Sequence, residues 1–341
     1  MKVDVFLSST FNNTERETLV KFYNGIKRDL WPDDALLKQK KMMAHINKEN
    51  GLRSGVELNY HEKGRGKYDL AVIMGSWKPE RSSVHHGVRT AIANNEEQKP
   101  FLVVETQLVG RKVFQPNVYH RIGLNGFLCN QGIFGPVKDY PSDRFDRLDL
   151  PYKGWNKNRG DKVIIALQLP GDASMRGVDI TKWAIETVGK IRAISDRPIE
   201  IRTHPGASAK GVSSYAELYE YLAFANHPNV HCVNGRDIPW EDHILTAHCV
   251  VVYSSGLAID AILNGIPVIA HDSGNFAYPI CDCKADQVEN PKMADEDIVK
   301  NWLNTLAYSQ WSPSEMESGE AWQHIKPCVY EYLEFIKDES S

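Results

Sequence analysis

The sequence predicts an α/β protein built from two doubly wound sheets. Three observations carry that reading. Short apolar runs of the kind that form buried strands recur along the chain, separated by segments with helical periodicity. They fall into two blocks, on either side of a stretch at 107–160 where periodicity fades. At 341 residues the chain is also long enough for two domains of ordinary size, each with its own core.

In the first block VDVFLSS (3–9) reads as a strand ending in a polar turn. Thr14 and Glu17 have capping-box spacing for a helix that carries Leu19, Phe22, Tyr23 and Ile26. A basic, loosely patterned segment follows (Lys38, Lys40, Lys41, Lys48), then the strand VELNY (56–60) and the Gly- and Lys-rich turn HEKGRGK (61–67). DLAVIMGSW (69–77) is a strand, a short helix around Val88–Ala93 leads to Pro100, and FLVVET (101–106) is a further strand. Together these read as a parallel α/β domain. From 107 to 160 Gly, Pro, Asn and aromatic residues dominate, as expected of loops at a domain face and of an interdomain connection.

Regularity returns at Lys162. KVIIALQLP, IEIRTHPG, NVHCVNG, CVVVYSSG and PVIAHDSG are five strands, with helical stretches around 179–194, 214–226, 240–247 and 256–264. The tail, 315–337, has a helical pattern through Met316, Trp322, Ile325, Tyr330 and Phe335, interrupted by Pro327. The expected domains are therefore 1–155 and 156–312, with a C-terminal helical segment at 313–341.

Composition points to a soluble globular protein, 42% hydrophobic and 25% charged. No apolar run approaches the ~20 residues needed to span a bilayer, and MKVDVFLSST reads as a strand rather than a signal peptide. The six cysteines, with Cys232 and Cys249 inside apolar strands, fit a reduced, cytoplasmic chain. Cys281-Asp282-Cys283 is too short a motif for a metal site. Residues 1–150 hold 23 Lys and Arg against 18 Asp and Glu, and the remainder 17 against 26, so a chain of net charge −4 joins a half at +5 to a half at −9. A basic first half suits a polyanionic or phosphorylated partner.

Each strand of the second block empties into a polar loop, and such loops are where parallel sheets bind ligands. They are Gln168-Leu169-Pro170-Gly171-Asp172-Ala173-Ser174-Met175-Arg176-Gly177, Arg202-Thr203-His204-Pro205-Gly206, Asn234-Gly235-Arg236-Asp237, Ser254-Ser255-Gly256 and His271-Asp272-Ser273-Gly274-Asn275. Arg202 and His204 are good phosphate partners, and Ser254-Ser255-Gly256 opens a helix whose unpaired N–H groups and dipole suit a diphosphate. Gln168, Gly171, Ser174, Arg176, Gly235 and Arg236 complete the expected nucleotide-binding set. The absence of a Walker A loop and of a complete G-x-G-x-x-G argues against an ATPase or a plain dehydrogenase.

The run from Asn234 to Ala277 resembles the donor half of GT-B glycosyltransferases, a resemblance covering about 160–275. Arg202-Thr203-His204-Pro205 followed by Ser254-Ser255 also resembles the His-Pro and Ser-Ser pair of bacterial capsule, sialic-acid and glycerophosphate transferases. A fuller string spans most of the chain. Gly75-Ser76-Trp77, Val104-Glu105-Thr106, Arg121-Ile122-Gly123-Leu124-Asn125-Gly126-Phe127 and Pro170-Gly171-Asp172-Ala173-Ser174 are similar to phage-encoded glycosyltransferases that decorate hydroxymethylated pyrimidines of DNA. These resemblances imply two facing Rossmann-like domains, with the C-terminal helix crossing back to the first. They imply a donor that is a nucleotide-diphosphate sugar, UDP-sugar first, with no tightly bound cofactor, no metal and no membrane. Asp260 would meet the ribose, in the place where relatives often carry Glu. The acceptor would be 5-hydroxymethylcytosine in double-stranded DNA. The alternatives are a saccharide, as in capsule-type glycosyltransferases or glycerophosphotransferases, or no acceptor at all in a non-catalytic nucleotide-binding protein. For the base that takes the acceptor's proton, Glu105 at the end of FLVVET is the first candidate, with Asp172 and the His85-His86 pair as alternatives. Trp77 or Phe127 could stack on a flipped base, and Lys38, Lys40, Lys41, Lys63, Arg65 and Lys67 would contact DNA phosphates. Asp295-Glu296-Asp297 imitates a metal motif but reads as the charged start of a helix.

Overall fold

The computed structural model describes residues 1, 3–6, 13–30, 68–77, 84–95, 97–111, 118–207, 215–225 and 227–339, with backbone alone at 13 and 84–88. The strand expected at 56–60, the basic residues from Lys38 to Lys67 and the side chains of His85 and His86 lie outside what is described. In chain order the strands are β1 (Val3–Val5), β2 (Leu70–Met74), β3 (Phe101–Thr106), β4 (His120–Leu124), β5 (Lys162–Ala166), β6 (Ile199–Arg202), β7 (Val230–Val233), β8 (Ala247–Val252), β9 (Val268–Ala270) and β10 (Gln310–Trp311). The helices are α1 (Asn13–Leu30), α2 (Val84–Ala93), α3 (Asp143–Arg147), α4 (Ile180–Arg192), α5 (Ala216–Ala225), α6 (Trp240–His243), α7 (Leu257–Leu263), α8 (Glu296–Ala307), α9 (Pro313–Ser318) and α10 (Glu320–Glu339). The chain forms two compact units. One comprises Met1–Phe127, Gln131–Tyr140 and Thr305–Ser341; the other comprises Leu128–Asn130 and Pro141–Asn304.

The first unit holds a five-stranded sheet of order β1-β2-β3-β4-β10. The pairs β1–β2 and β2–β3 are parallel, but β4 runs antiparallel to β3 and β10 antiparallel to β4. The sheet is thus mixed where the sequence predicts a parallel one, and β4 sits in the stretch expected to be loop. HRIGL does not look like a central strand, yet all five residues are buried. Its polar side chain Arg121 is satisfied by backbone: Nη1 donates to Thr106 O at 2.6 Å and Nε to Phe127 O at 3.2 Å. Helix α1 begins at Asn13, so Thr14 lies inside the first turn rather than capping it.

Leu19, Phe22 and Ile26 of α1 pack with Val72, Leu102 and Ile122 of the sheet and with Trp322 and Ile325 of α10. The approach of α1 to α9 is close enough to need glycine, because a Cβ at Gly25 would lie 1.9 Å from Met316 O. Helix α10 continues through Pro327 instead of being interrupted there. A proline inside a helix costs ~3 kcal/mol. Burial of Trp322, Ile325, Cys328 and Val329 along the same helix offsets it.

The second unit holds a five-stranded sheet of order β7-β6-β5-β8-β9 in which every pair is parallel. Val163, Ile165, Ile199, Ile201, Val251 and Ile269 form its core with Trp183, Val188 and Ile191 of α4. Asp179 caps α4, accepting from Thr181 N at 2.9 Å and Lys182 N at 3.2 Å. Strand β5 lies between β6 and β8, so the chain leaves it in one direction along the sheet and later returns on the other side. Loops after the carboxyl ends of strands diverge at such a switch point and leave a crevice. Among the described residues no helix is long and apolar enough to cross a membrane.

Candidate functional site

The loops at the carboxyl edge of the second unit are stitched together in the order of the strands. After β7, Gly235 packs on the β6 loop so closely that a Cβ there would lie 2.2 Å from Thr203 O. Arg236, in the same turn, donates from Nε to Pro205 O at 2.8 Å. The β6 loop meets the β5 loop through Tyr215, whose hydroxyl donates to Gln168 O at 2.8 Å and accepts from His204 N at 3.4 Å. The β8 loop meets the β9 loop where Asn275 Nδ2 donates to Ser255 O at 3.1 Å.

Gln168 is the clasp at the switch point. Its Nε2 donates to Ser174 Oγ at 2.5 Å and to Ser254 Oγ at 2.9 Å, and its Oε1 accepts from Ser254 N at 3.1 Å. Ser254 Oγ donates in turn to Ser174 O at 3.1 Å. Both amide hydrogens are therefore in use, and Gln168 and Ser254 hold the β5 and β8 loops to each other. Asp172 caps the short turn 173–175: its Oδ1 accepts from Ser174 N at 2.9 Å and Ser174 Oγ at 2.6 Å. Gly171 at φ +69 and Gly177 at φ +84 allow the loop to reverse.

The arginines of the loops differ in what they have left to offer. Arg202 is only 3% exposed. Its Nη1 meets His243 Nδ1 at 3.0 Å, its Nη2 donates to Gly235 O at 2.9 Å, and its guanidinium lies 5.6 Å from the centre of the Trp240 ring. Burial lowers its pKa, against the neighbouring charge of Glu241. Arg176 is paired with Asp272, which is 5% exposed and would be left buried without a partner if the arginine moved away. Arg236 is exposed, and its Nη groups have no partner among the described residues.

His204 is half-buried, and its Nδ1 accepts from Gly206 N at 3.0 Å. That bond leaves the ring proton of a neutral His204 on Nε2, as a donor. Ser255 Oγ accepts from Leu257 N at 3.3 Å and keeps its own hydrogen to donate. Gly256 opens α7, which is seven residues long. Asp260 within α7 is 7% exposed, so it is not a solvated residue of a helix surface.

Beside these, His271 accepts at Nδ1 from Trp183 Nε1 at 2.7 Å, and burial pulls its pKa down to about 4, with Lys190 adding to the effect. Residues that sequence reasoning missed are Lys162, Glu200, Tyr215, Trp240 and His243. A signal for one existed: Glu200 stands between the buried Ile199 and Ile201, where a carboxylate requires a partner.

In the first unit Glu105 Oε2 accepts from Ser76 N at 2.8 Å and Oε1 from Thr106 N at 2.8 Å. The carboxylate thereby ties the end of β3 to the end of β2. Trp77 makes edge contacts with Phe101 at 5.5 Å and Phe127 at 4.9 Å between ring centres, and Phe127 is a core residue. Among the described residues no cluster of three or more His, Cys, Asp or Glu is placed to hold a metal. Glu296 and Asp297 form the acidic first turn of α8.

Fold and loops together define a doubly wound α/β sheet with a polar, glycine-containing carboxyl edge. No protein-family model matches the chain, and no curated protein matches its sequence. Among solved structures it is similar to the KpsC β-Kdo 2,7 transferase of Thermosulfurimonas dismutans, at 12% identity over 94% of this chain and 99% of that one, TM-score 0.48. It is also similar to the β-Kdo 2,4 transferase of KpsC from the same organism, at 14% identity over 70% and 78%, TM-score 0.46. A third similarity is to the UDP-GlcNAc 2-epimerase of Methanocaldococcus jannaschii in complex with UDP-GlcNAc and UDP, at 13% identity over 82% and 83%, TM-score 0.30.

Proposed function

We propose that the chain is a glycosyltransferase that takes a sugar from a nucleotide diphosphate, UDP first, and delivers it to a hydroxyl acceptor. The observation that carries this reading is the set of donors left over on the carboxyl edge of the second sheet. Arg236 has Nη groups without a partner among the described residues, and Ser255 keeps a hydroxyl hydrogen. Both stand on loops that other side chains already hold in place. Preplaced donors of this kind stabilise a leaving diphosphate without reorganisation, the work a metal cation does elsewhere. In this reading His204, Arg236 and Ser255 meet the phosphates. Gln168, Ser174, Arg176, Arg202, Gly235 and Ser254 shape the loops, with Gly171 giving the β5 loop its turn and Gly256 opening α7. Asp172 is a loop cap, and Glu105 is the candidate base.

For the acceptor we propose hydroxymethylated pyrimidine DNA, supported by the basic first half of the sequence and the residue string that resembles phage glycosyltransferases. A saccharide acceptor is the second reading, favoured by the His204-Pro205 and Ser254-Ser255 pair. The test incubates the protein with a panel of nucleotide sugars and hydroxymethylcytosine DNA, unmodified DNA or oligosaccharides, and reads the products by mass. Sugar on hydroxymethylcytosine alone supports the DNA reading; sugar on the oligosaccharide alone replaces it. Nucleotide binding with neither transfer nor donor hydrolysis makes the protein a binding module. His204→Ala removes one charge-assisted phosphate contact, worth roughly 1.5–3 kcal/mol, and should weaken nucleotide binding by about one to two powers of ten in a folded protein. Unchanged affinity takes His204 out of the site.

A further inference from the structure

A line of polar side chains runs from the amino end of β5 toward the carboxyl end of β6 in the second sheet. Lys162 Nζ on β5 lies 2.6 Å from Glu200 Oε1 on β6, and Glu200 Oε2 lies 2.7 Å from His243 Nε2 at the end of α6. His243 Nδ1 lies 3.0 Å from Arg202 Nη1, and Arg202 Nη2 donates to Gly235 O at 2.9 Å. His243 is 2% exposed. A guanidinium can only donate and an ionised carboxylate can only accept. The ring placed between them must accept at Nδ1 and donate from Nε2, and only the neutral Nε2–H form does both. A protonated ring would set an N–H against the N–H groups of Arg202 and break that link. The link has a geometric consequence, because Gly235 is packed against Thr203 with no room for a Cβ, and Arg236 follows it in the turn.

We infer that His243 is a positioning residue for the nucleotide site, its neutral ring holding Arg202 and, through Arg202, the Gly235–Arg236 turn that meets the phosphate. The inference rests on the nucleotide-binding reading given above. Burial drives the His243 ring below its usual 6.5; the hydrogen bond and charge of Glu200 oppose this, and Arg202 and Lys162 reinforce it. These three, with Glu241 of α6 acting on Arg202, are the charged groups that bear on the relay. The ring is thus neutral near pH 7 and becomes charged only in acid.

The test measures UDP binding by calorimetry from pH 8 to pH 5 for wild type, His243→Gln and His243→Leu, with thermal unfolding in the same buffers. A glutamine amide can accept from Arg202 and donate to Glu200 but does not titrate, so H243Q should bind UDP near neutral pH as wild type does. As the pH falls below 6.5, wild-type affinity should drop relative to H243Q, approaching about tenfold as the ring takes its proton. Taking the ratio of the two proteins at each pH cancels the titration of UDP and of every group the two proteins share. H243L should bind about tenfold more weakly than H243Q at every pH. A ratio of wild type to H243Q that stays flat with pH, or an H243L that binds as wild type does near neutral pH, overturns the proposal. If wild type does not bind UDP at all, the nucleotide reading fails instead, and the relay is judged by unfolding. The folded pKa is lowered, so the ring's contribution to stability is full above 6.5 and is lost as the pH falls below it. Wild type should then lose stability relative to H243Q in acid, and a constant difference between them overturns the relay.

Discussion

The two sheets solve different problems with the same number of strands. In the second unit every strand is parallel, so five carboxyl ends reach one edge and their loops adjoin in the order of the strands. In the first unit β4 runs against its neighbours β3 and β10, and polar groups are spent on closing the sheet. Each unit has a buried glutamine that makes the contrast concrete. Gln310 in the first has no exposed surface and accepts from Leu108 N at 2.8 Å and Val109 N at 2.9 Å, fixing the chain that leaves β3. Gln168 in the second joins the β5 and β8 loops at the switch point. One glutamine closes a sheet, and the other joins two loops of the candidate site.

The largest effects should come from breaking these two clasps side by side. Gln310→Leu strands two buried backbone N–H groups, each worth roughly 1–3 kcal/mol, and should lower stability by about 2–5 kcal/mol with little change in nucleotide affinity. Gln168→Leu strands one backbone N–H, that of Ser254, and leaves hydroxyl groups that keep other partners, so its stability loss should be smaller, about 1–3 kcal/mol. It should nevertheless weaken UDP binding about tenfold, because the Ser254 loop is no longer held. Urea unfolding and calorimetry on both variants check this. An equal loss of affinity in both would erase the contrast drawn between the units.

Glu105→Gln sharpens the comparison from the other side. A glutamine keeps one acceptor oxygen but turns an NH2 toward either Ser76 N or Thr106 N. That should cost about 1 kcal/mol of stability. If the carboxylate also takes the acceptor's proton, transfer should fall by about a hundredfold or more with donor affinity unchanged. A variant that is slightly less stable but turns over normally would leave Glu105 as a tie between β2 and β3 and nothing else.

What could be read from the sequence follows the same division. The strands of the second sheet are dominated by Val, Ile and Ala, and their periodicity marks them at once. Strand β4 could not be seen, because His120 and Arg121 make a central strand look like a loop, and the buried Arg121 is met by tertiary partners, the carbonyls of Thr106 and Phe127. Strand β10 is two residues long and pairs with a strand far earlier in the chain. At the candidate site the polar strand ends were legible, but not which side chains were already engaged. Arg202 and Arg236 look alike in sequence; one is 3% exposed and bonded on two sides, and the other is exposed with its Nη groups available. The tail was legible as helix from its apolar spacing, and Pro327 was overvalued as a break because the burial on both sides of it is a tertiary fact.

The smallest expected effect tests how the last helix is held. Asp29 of α1 accepts from Trp322 Nε1 at 2.9 Å and Gln323 Nε2 at 2.8 Å and lies 2.8 Å from Lys326 Nζ, all on α10. Burial pushes its carboxyl pKa up, but the hydrogen bonds from Lys326, Trp322 and Gln323 and the charge of Lys326 bring the net value below 3.8. A depressed folded pKa means that the contribution is present above 3.8 and is lost as the pH falls through the folded value. The pair lies near the surface, so Asp29→Asn should cost only about 0.5–1 kcal/mol at neutral pH, and less in high salt. In acid the wild-type carboxyl becomes neutral too, and the two melting curves should converge. If the difference instead persists at the acid end of the titration, the attachment depends on the geometry of the Trp322 and Gln323 hydrogen bonds rather than on charge. The first unit would then hold its C-terminal helix by hydrogen-bond geometry, as Arg121 ties β4 to the carbonyls of Thr106 and Phe127, rather than by ion pairing.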